Sequence, residues 1–136
     1  MELMNKAVKK IPKRGEIWLI DYNYKPKQGK ERELEIASKI KKFRPSLVVS
    51  NDAQNEFDLE IIVVPSSSQG LEIIRPHELL IKKNKENGLD EDSKILFNRL
   101  RNIEKETRLV DYIGVIDKEI MKEVNKRLKI VLELED

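Results

Sequence analysis

Arg44 and the serines that follow a predicted strand are the side chains of this sequence best suited to bind a phosphate. A guanidinium is always charged, and its planar fork of donors fits two phosphate oxygens at once. Pro45 disfavours a helical conformation at Arg44, so we expect an extended arginine at the entrance of a strand. The hydroxyls of Ser66, Ser67 and Ser68 can donate to a phosphate or to a developing oxyanion. From residue type alone, a surface arginine and a turn-forming serine loop are the commoner interpretations.

Four other residues are candidates for binding or proton transfer. His77 is the sole histidine, and an imidazole can exchange a proton near neutral pH. Tyr24 lies in a predicted loop and can stack on a nucleobase, whereas Trp18 is more typical of a core residue. Arg99 and Arg101 alternate along a predicted strand, so they add positive charge to one of its faces or pair with nearby acids.

The residue inventory argues against several kinds of active site. With no cysteine and one histidine, a zinc or iron–sulfur site built by the protein is not expected. A serine nucleophile needs a base in reach, but no G-x-S-x-G elbow is present and Gly70 intervenes before His77. P-loop and dinucleotide-binding motifs are also missing. The inventory therefore favours none of these sites.

Charge is unevenly distributed along the 136 residues, a length typical of one domain. Residues 1–44 carry 13 Lys/Arg against 6 Asp/Glu, and the remainder carries 14 against 19. This asymmetry indicates a surface that faces a polyanion and a separate acidic face, although lysine-rich exposed loops are common. Lys41 and Lys42 lie just before Arg44 in the basic part. A mean hydropathy of −0.57, the lack of any membrane-spanning apolar run and the absence of a secretory signal favour a soluble cytoplasmic protein.

The residue patterns predict a mainly β domain. Residues 1–12 are predicted to form a loose arm, and residues 23–43 an extended basic loop with a short helix over 31–43. A helix from Asp117 to about Leu132 is predicted from its N-cap residue and apolar stripe, with a favourable Glu123–Arg127 pair. Strands are predicted at 16–22, 46–50, 59–65, 77–81, 94–100 and 109–116, and a polar turn at 51–58. Five or six mostly antiparallel strands favour a small barrel-like sheet over a parallel α/β fold.

Five motifs together resemble one protein family. They are Lys13–Trp18, Arg44–Asp52, Val63–Ser67, Asp92–Leu96 and Arg101–Leu109. In this combination and order they resemble the MazF/PemK toxins of toxin–antitoxin systems, and the final helix is similar too. The chain departs from the family in a longer loop before Arg44 and in Arg99, which falls where the family has a glutamine.

The resemblance implies a single domain with an SH3-like barrel, a homodimer and a toxin of a type II system neutralised by a small acidic antitoxin. It implies a metal-independent endoribonuclease that cuts single-stranded RNA through its 2′-OH, leaving a 2′,3′-cyclic phosphate. The arginine of the family's R-P motif is catalytic and corresponds to Arg44, and the second catalytic position falls at Ser67. The remaining candidate RNA-binding residues are Tyr24, Lys41, Lys42, Ser66, Ser68, His77, Arg99 and Arg101.

Two other functions are compatible with the same fold. One is a gyrase-poisoning toxin like the CcdB family, which would act through its C-terminal helix and would need no pair of Arg44 and Ser67. The other is a non-catalytic barrel that binds RNA or protein, for which binding without cleavage and a steep salt dependence are expected.

Overall fold

A computed structural model describes residues 10–23 and 43–135 of the chain. The strands are β1 (Glu16–Ile20), β2 (Arg44–Val48), β3 (Glu60–Ser67), β4 (Glu78–Ile81), β5 (Ser93–Leu96), β6 (Arg101–Glu104) and β7 (Leu109–Val115). The α-helices are α1 (Asp52–Phe57), α2 (Lys105–Arg108) and α3 (Lys118–Leu132), and a 3₁₀ turn covers Phe97–Arg99. The arm and the basic loop with its predicted helix lie almost wholly outside the described residues. In the described ranges no helix has the length and apolar character that crossing a membrane requires.

The strands form one antiparallel sheet in the order β4-β5-β3-β2-β1-β7, with β6 also paired to β3. Within the described ranges no ladder joins β4 to β7, so the sheet is open and the expected closed barrel is not formed there. β1 lies between β2 and β7, as expected for a strand that is apolar on both faces. The fold is therefore mainly antiparallel β with a few helices.

β3 is the strand that connects the two parts of the sheet. One of its edges pairs with β2. Its other edge pairs with β6 through Glu60–Val63 and with β5 through Ser66 and Ser67. Pro65 falls in the interval between those two ladders. The strand therefore continues to Ser67, and the prediction that it ends at Pro65 is wrong.

Two apolar clusters lie on opposite faces of the central strands. One includes Ile17 and Leu47 and is covered by α3, and the other includes Trp18 and Ile20. The helix contributes its predicted apolar stripe, formed by Ile120, Met121, Val124, Leu128 and Val131. Asp117 caps the helix, since its carboxylate accepts from the Ile120 N–H at 2.8 Å. The predicted terminal helix and its N-cap are confirmed.

Two predicted elements differ from the structure. The 51–58 turn is the helix α1, capped by Asn51, whose side chain accepts from the Gln54 N–H at 2.8 Å. The strand predicted at 94–100 ends at Leu96, where the 3₁₀ turn begins. Arg99 therefore lies in that turn and Arg101 opens β6, so the two arginines do not alternate along one strand.

Arg14 links the beginning of β1 to two other parts of the chain. Its N–H donates to Asp52 Oδ1 at 2.8 Å, and its Nε donates to the Val49 carbonyl at 2.9 Å. Its Nη2 donates to Asn125 Oδ1 on α3 at 2.7 Å. Arg14 thus fixes the exit of β2 and the terminal helix against the same strand.

Candidate functional site

A cleft of about 880 Å³ opens where β2 begins and β3 ends. Its walls come from those two strand ends, from the loop that begins at Gly88, and from parts of β1 and β7. The polar lining includes Arg44, Ser67, Ser68, Asp90, Glu91 and Asp111. The cleft therefore contains both residues that the family resemblance marks as catalytic.

The register of β2 and β3 places Arg44 and Ser67 at matching positions. The ladder pairs Ser46 with Pro65, and continuing this antiparallel register by two residues sets Arg44 opposite Ser67. Beyond the ladder, Arg44 Nη1 donates to the Ser66 carbonyl at 3.2 Å. The arginine is exposed, so its remaining guanidinium donors can reach a ligand in the cleft.

The three serines have different surroundings. Ser66 is buried and its Oγ donates to the Pro45 carbonyl at 2.6 Å, so this hydroxyl holds the two strand ends together. Ser67 is partly buried, and its Oγ accepts from the Gln69 N–H at 3.2 Å. A hydroxyl that accepts in this way keeps its own proton for donation to a ligand. Ser68 is exposed at the rim of the cleft.

Tyr22, just beyond the end of β1, and Ser46 of β2 support Arg44. The Tyr22 hydroxyl lies 2.6 Å from Ser46 Oγ, and Ser46 Oγ lies 3.3 Å from the Arg44 carbonyl. The Arg101 guanidinium lies 5.1 Å from the centroid of the Tyr22 ring. Burial raises the pKa of Tyr22 to about 12, against smaller lowering effects of the Ser46 hydrogen bond and of the Arg101 and Arg44 charges. The phenol is therefore neutral in the physiological range.

Sequence reasoning favoured Tyr24 for the site and did not select Tyr22. The available signal was strand alternation, which places Tyr22 on the same face of β1 as Trp18 and Ile20. Trp18 is buried in that cluster, as predicted. Tyr24 lies outside the described residues, as do Lys41 and Lys42.

Three acidic residues also line the cleft, and the sequence did not single them out. Asp90 and Glu91 come from the loop after Gly88, and Asp111 comes from β7. A polyanion in this cleft would be repelled by these carboxylates and attracted by Arg44. The cleft therefore favours a ligand whose phosphate is held at Arg44 rather than one spread along all of its walls.

The remaining candidates are placed elsewhere. His77 Nε2 lies 3.9 Å from Glu78 Oε2, and His77 is not among the residues that line the cleft. Arg99 is exposed in the 3₁₀ turn and does not line the cleft either. Arg101 reaches the region only through the Tyr22 ring. The structure therefore brings together Arg44, Ser67 and Ser68, with Arg101 nearby.

Lys94 and Glu78 hold the loop that follows Ser67. Lys94 is paired with Ser67 in the sheet, and its Nζ donates to the carbonyls of Gly70 and Ile73 at 3.0 and 3.2 Å. The same ammonium lies 3.3 Å from a carboxylate oxygen of the buried Glu78. A hydrogen bond from the backbone N–H of Arg75, followed by the effects of Lys94, lowers the pKa of Glu78.

Across residues 10–23 and 43–135, no group of three or more Asp, Glu and His residues could hold a metal ion.

Comparison with known proteins gives a family and a fold. The sequence pattern of the family described as PemK-like, MazF-like toxin of type II toxin–antitoxin system matches residues 13–132. A comparison with curated proteins found no match. Among solved structures, an endoribonuclease from a mycobacterial species in complex with its cognate antitoxin is similar, with a TM-score of 0.68 and 20% identity over 92% of this chain and 98% of that one. MazF from Deinococcus radiodurans has a TM-score of 0.67 and 18% identity over 93% and 100% of the two chains. The toxin MazF-mt6 of Mycobacterium tuberculosis has a TM-score of 0.67 and 13% identity over 89% and 99%.

Proposed function

The chain belongs to the PemK-like, MazF-like toxins of type II toxin–antitoxin systems, and from this premise we propose that it is an endoribonuclease that cuts single-stranded RNA. The observation that supports this most directly is the placement of Arg44 opposite Ser67, with both residues facing one cleft. An arginine and a hydroxyl donor at adjacent strand ends are suited to hold one phosphate from two sides.

In the proposed reaction the nucleophile comes from the RNA. The 2′-oxygen attacks the adjacent phosphorus, the bond to the 5′-oxygen breaks, and the products are a 2′,3′-cyclic phosphate and a 5′-OH. One proton leaves the 2′-OH and one is delivered to the departing 5′-oxygen. The protein then has to orient the phosphate and stabilise the charge that builds on its oxygens.

Arg44 and Ser67 would divide this work. A guanidinium group stays charged in proteins, so Arg44 would act as an electrostatic clamp or a proton donor and not as a free base. Ser67 would donate its hydroxyl proton to the same phosphate, since its oxygen already accepts from Gln69. Ser66 is assigned a structural role, because its proton is given to Pro45.

The wider assignment follows from the same premise. We propose that a cognate antitoxin neutralises this toxin, that the protein acts in the cytoplasm as a homodimer of one-domain chains, and that it uses no cofactor. An acidic antitoxin segment would compete with RNA for Arg44. We further propose that the open antiparallel sheet is a variant of the SH3-like barrel.

The test is cleavage of a long mixed-sequence RNA transcript in the presence of EDTA. We expect wild-type protein to cut it, and we expect Arg44→Ala to lower the rate by about 10²- to 10³-fold. Arg75→Ala is a matched control, because Arg75 is also exposed but does not line the cleft. Equal rates for Arg44→Ala and wild type would overturn the role of Arg44. Gyrase-dependent DNA breakage without RNA cleavage would overturn the proposed activity itself.

A further inference from the structure

Tyr22 is held at three points, although it lies just beyond the end of β1. Its hydroxyl is 2.6 Å from Ser46 Oγ, and its ring lies under the Arg101 guanidinium at 5.1 Å. Its main-chain carbonyl accepts from Arg108 Nη1 at 3.0 Å. Contacts to the backbone, the ring and the hydroxyl leave this tyrosine little freedom to move.

Ser46 connects Tyr22 to the backbone of Arg44. It is fully buried in β2, between Trp18 of β1 and Pro65 of β3. Its Oγ contacts the Tyr22 hydroxyl on one side and lies 3.3 Å from the Arg44 carbonyl on the other. A serine hydroxyl has one proton, so if it donates to the Arg44 carbonyl it must accept from the phenol. The phenol then donates to Ser46, and Ser46 donates to the Arg44 carbonyl, which gives a chain of two hydrogen bonds that ends on Arg44.

We propose that Tyr22 is a positioning residue that acts through Ser46 to fix the backbone of Arg44, and with it the starting point of the guanidinium. The proposal rests on the proposed function for its catalytic consequence. Arg44 is the first residue of β2, where fewer ladder bonds restrain the backbone than in the middle of the strand. An additional restraint is therefore most useful at this residue, since small displacements of a phosphate-holding group are costly to the rate.

The charge state of the phenol agrees with this role. An ionised tyrosine beside Arg44 and Arg101 would pair with them and reduce the positive field offered to RNA. Burial keeps the proton on Tyr22, because it raises the pKa of the phenol to about 12. The hydroxyl is then available as a donor to Ser46 at any pH at which RNA cleavage would be measured.

Tyr22→Phe is the decisive substitution, because it retains the ring and its contact with Arg101 and removes only the hydroxyl. We expect the cleavage rate at saturating RNA to fall roughly tenfold, while affinity for a 2′-O-methyl RNA that cannot be cut stays within about twofold. Ser46→Ala should have a similar effect. The double variant should be no slower than the slower single variant, because both changes interrupt one chain.

Tyr112→Phe is the matched control, since the Tyr112 hydroxyl makes no hydrogen bond to any residue that the structure describes and the residue does not line the cleft. A second measurement is independent of activity. The Nε–Hε resonance of Arg44, assigned by its loss in Arg44→Ala, should shift or broaden in Tyr22→Phe and stay unchanged in Tyr112→Phe.

The outcomes separate the two proposals. An unchanged rate and an unchanged Arg44 resonance in Tyr22→Phe overturn the positioning role, as do additive losses in the double variant. A parallel loss of rate and affinity also overturns it, because Tyr22 would then bind RNA directly. Failure of the wild-type protein to cut any RNA overturns the proposed function alone, and the Arg44 resonance still decides whether Tyr22 positions that arginine.

Discussion

Replacing two adjacent serines by alanine should give opposite results. Ser66 gives its hydroxyl proton to the partly buried Pro45 carbonyl at 2.6 Å, whereas Ser67 accepts from the Gln69 N–H and keeps its proton for a ligand. We therefore expect Ser66→Ala to lower stability with a modest effect on cleavage. Ser67→Ala should lower cleavage with little effect on stability.

The expected losses of stability and of cleavage rate depend on which group loses its hydrogen-bond partner in each variant. In Ser66→Ala the partly buried Pro45 carbonyl loses its donor, which costs about 1–2 kcal/mol of unfolding free energy. Taking about 2 kcal/mol, and about 4 °C of midpoint per kcal/mol for a chain of this length, the thermal midpoint should fall by about 8 °C. Ser67→Ala removes only a partly exposed turn contact, so about 0.5 kcal/mol is expected. Loss of a donor to the charge that develops on phosphate should slow cleavage by about 10²- to 10³-fold.

Urea unfolding at 25 °C and RNA cleavage in EDTA measure the two effects on the same preparations. Ser66→Ala should keep at least about a tenth of the wild-type rate, because a loss of about 2 kcal/mol leaves a domain of ordinary stability folded. The reasoning would be refuted if Ser67→Ala were the less stable variant, or if Ser66→Ala lost activity while its unfolding free energy did not change.

Two further predictions concern the surroundings of the cleft. Glu78→Gln should lower stability by about 2 kcal/mol at pH 7, because Lys94 loses its buried charged partner. The pKa of Glu78 is lowered in the folded state. The stabilisation that the carboxylate provides is therefore present above the ordinary pKa of 4.5 and is lost as the pH falls through the folded-state pKa. Urea titrations of both proteins at a series of pH values from 7 downward should therefore show a difference that shrinks as the pH falls below 4.5, and a constant difference would contradict this. Gly88→Ala should cost about 3 kcal/mol, since φ is +68° and an added Cβ would lie 2.2 Å from the Ile113 carbonyl oxygen. Gly70→Ala is its control, with φ of +67° but a 3.4 Å approach to the Lys94 Nζ, and should cost about 1 kcal/mol in the same assay; equal losses would show that the close approach is unimportant.

The elements whose local signals agree were predictable from the sequence. β1 and β7 have β-branched and aromatic residues without a helix period, and both are found within two residues of the expected bounds. The terminal helix has a cap, a stripe and an ion pair, and the Glu123–Arg127 contact forms at 2.7 Å. Where several local signals agree, tertiary structure has no reason to override them.

The errors occur where distant partners decide the local structure. α1 has six residues and no apolar stripe, and its buried Asn55 is bonded to Ser50 and Lys105, so no periodic signal marks it. The end of β3 depends on pairing with β5, which begins at Ser93, and a proline before Ser66 pointed to an earlier end. Propensity cannot anticipate pairing between segments this far apart in the chain.

The candidate site was partly accessible from the sequence. Arg44 was selected from its residue type and the proline that follows it, and Ser67 was selected among the serines through the family resemblance; the structure sets the two at matching positions on two strands. The role proposed for Tyr22 and Ser46 was not predictable, because a partly buried tyrosine after a strand and a buried serine within one are each typical of ordinary packing. Only the 2.6 Å contact between their oxygens shows that they form a unit.

Arg14 also bears on the order in which the chain can fold. Its bond to Asn125 joins residues 111 positions apart, whereas its bonds to Asp52 and Val49 span 38 and 35. A growing chain contains β1 and β2 long before it contains Asn125, so until then Arg14 can have only two of its three partners. Closing the longer loop costs more entropy, and the closing contact becomes possible only when the final helix has been made. We therefore expect docking of α3 to be the last step of folding during synthesis, with a sheet that is incompletely covered until that point.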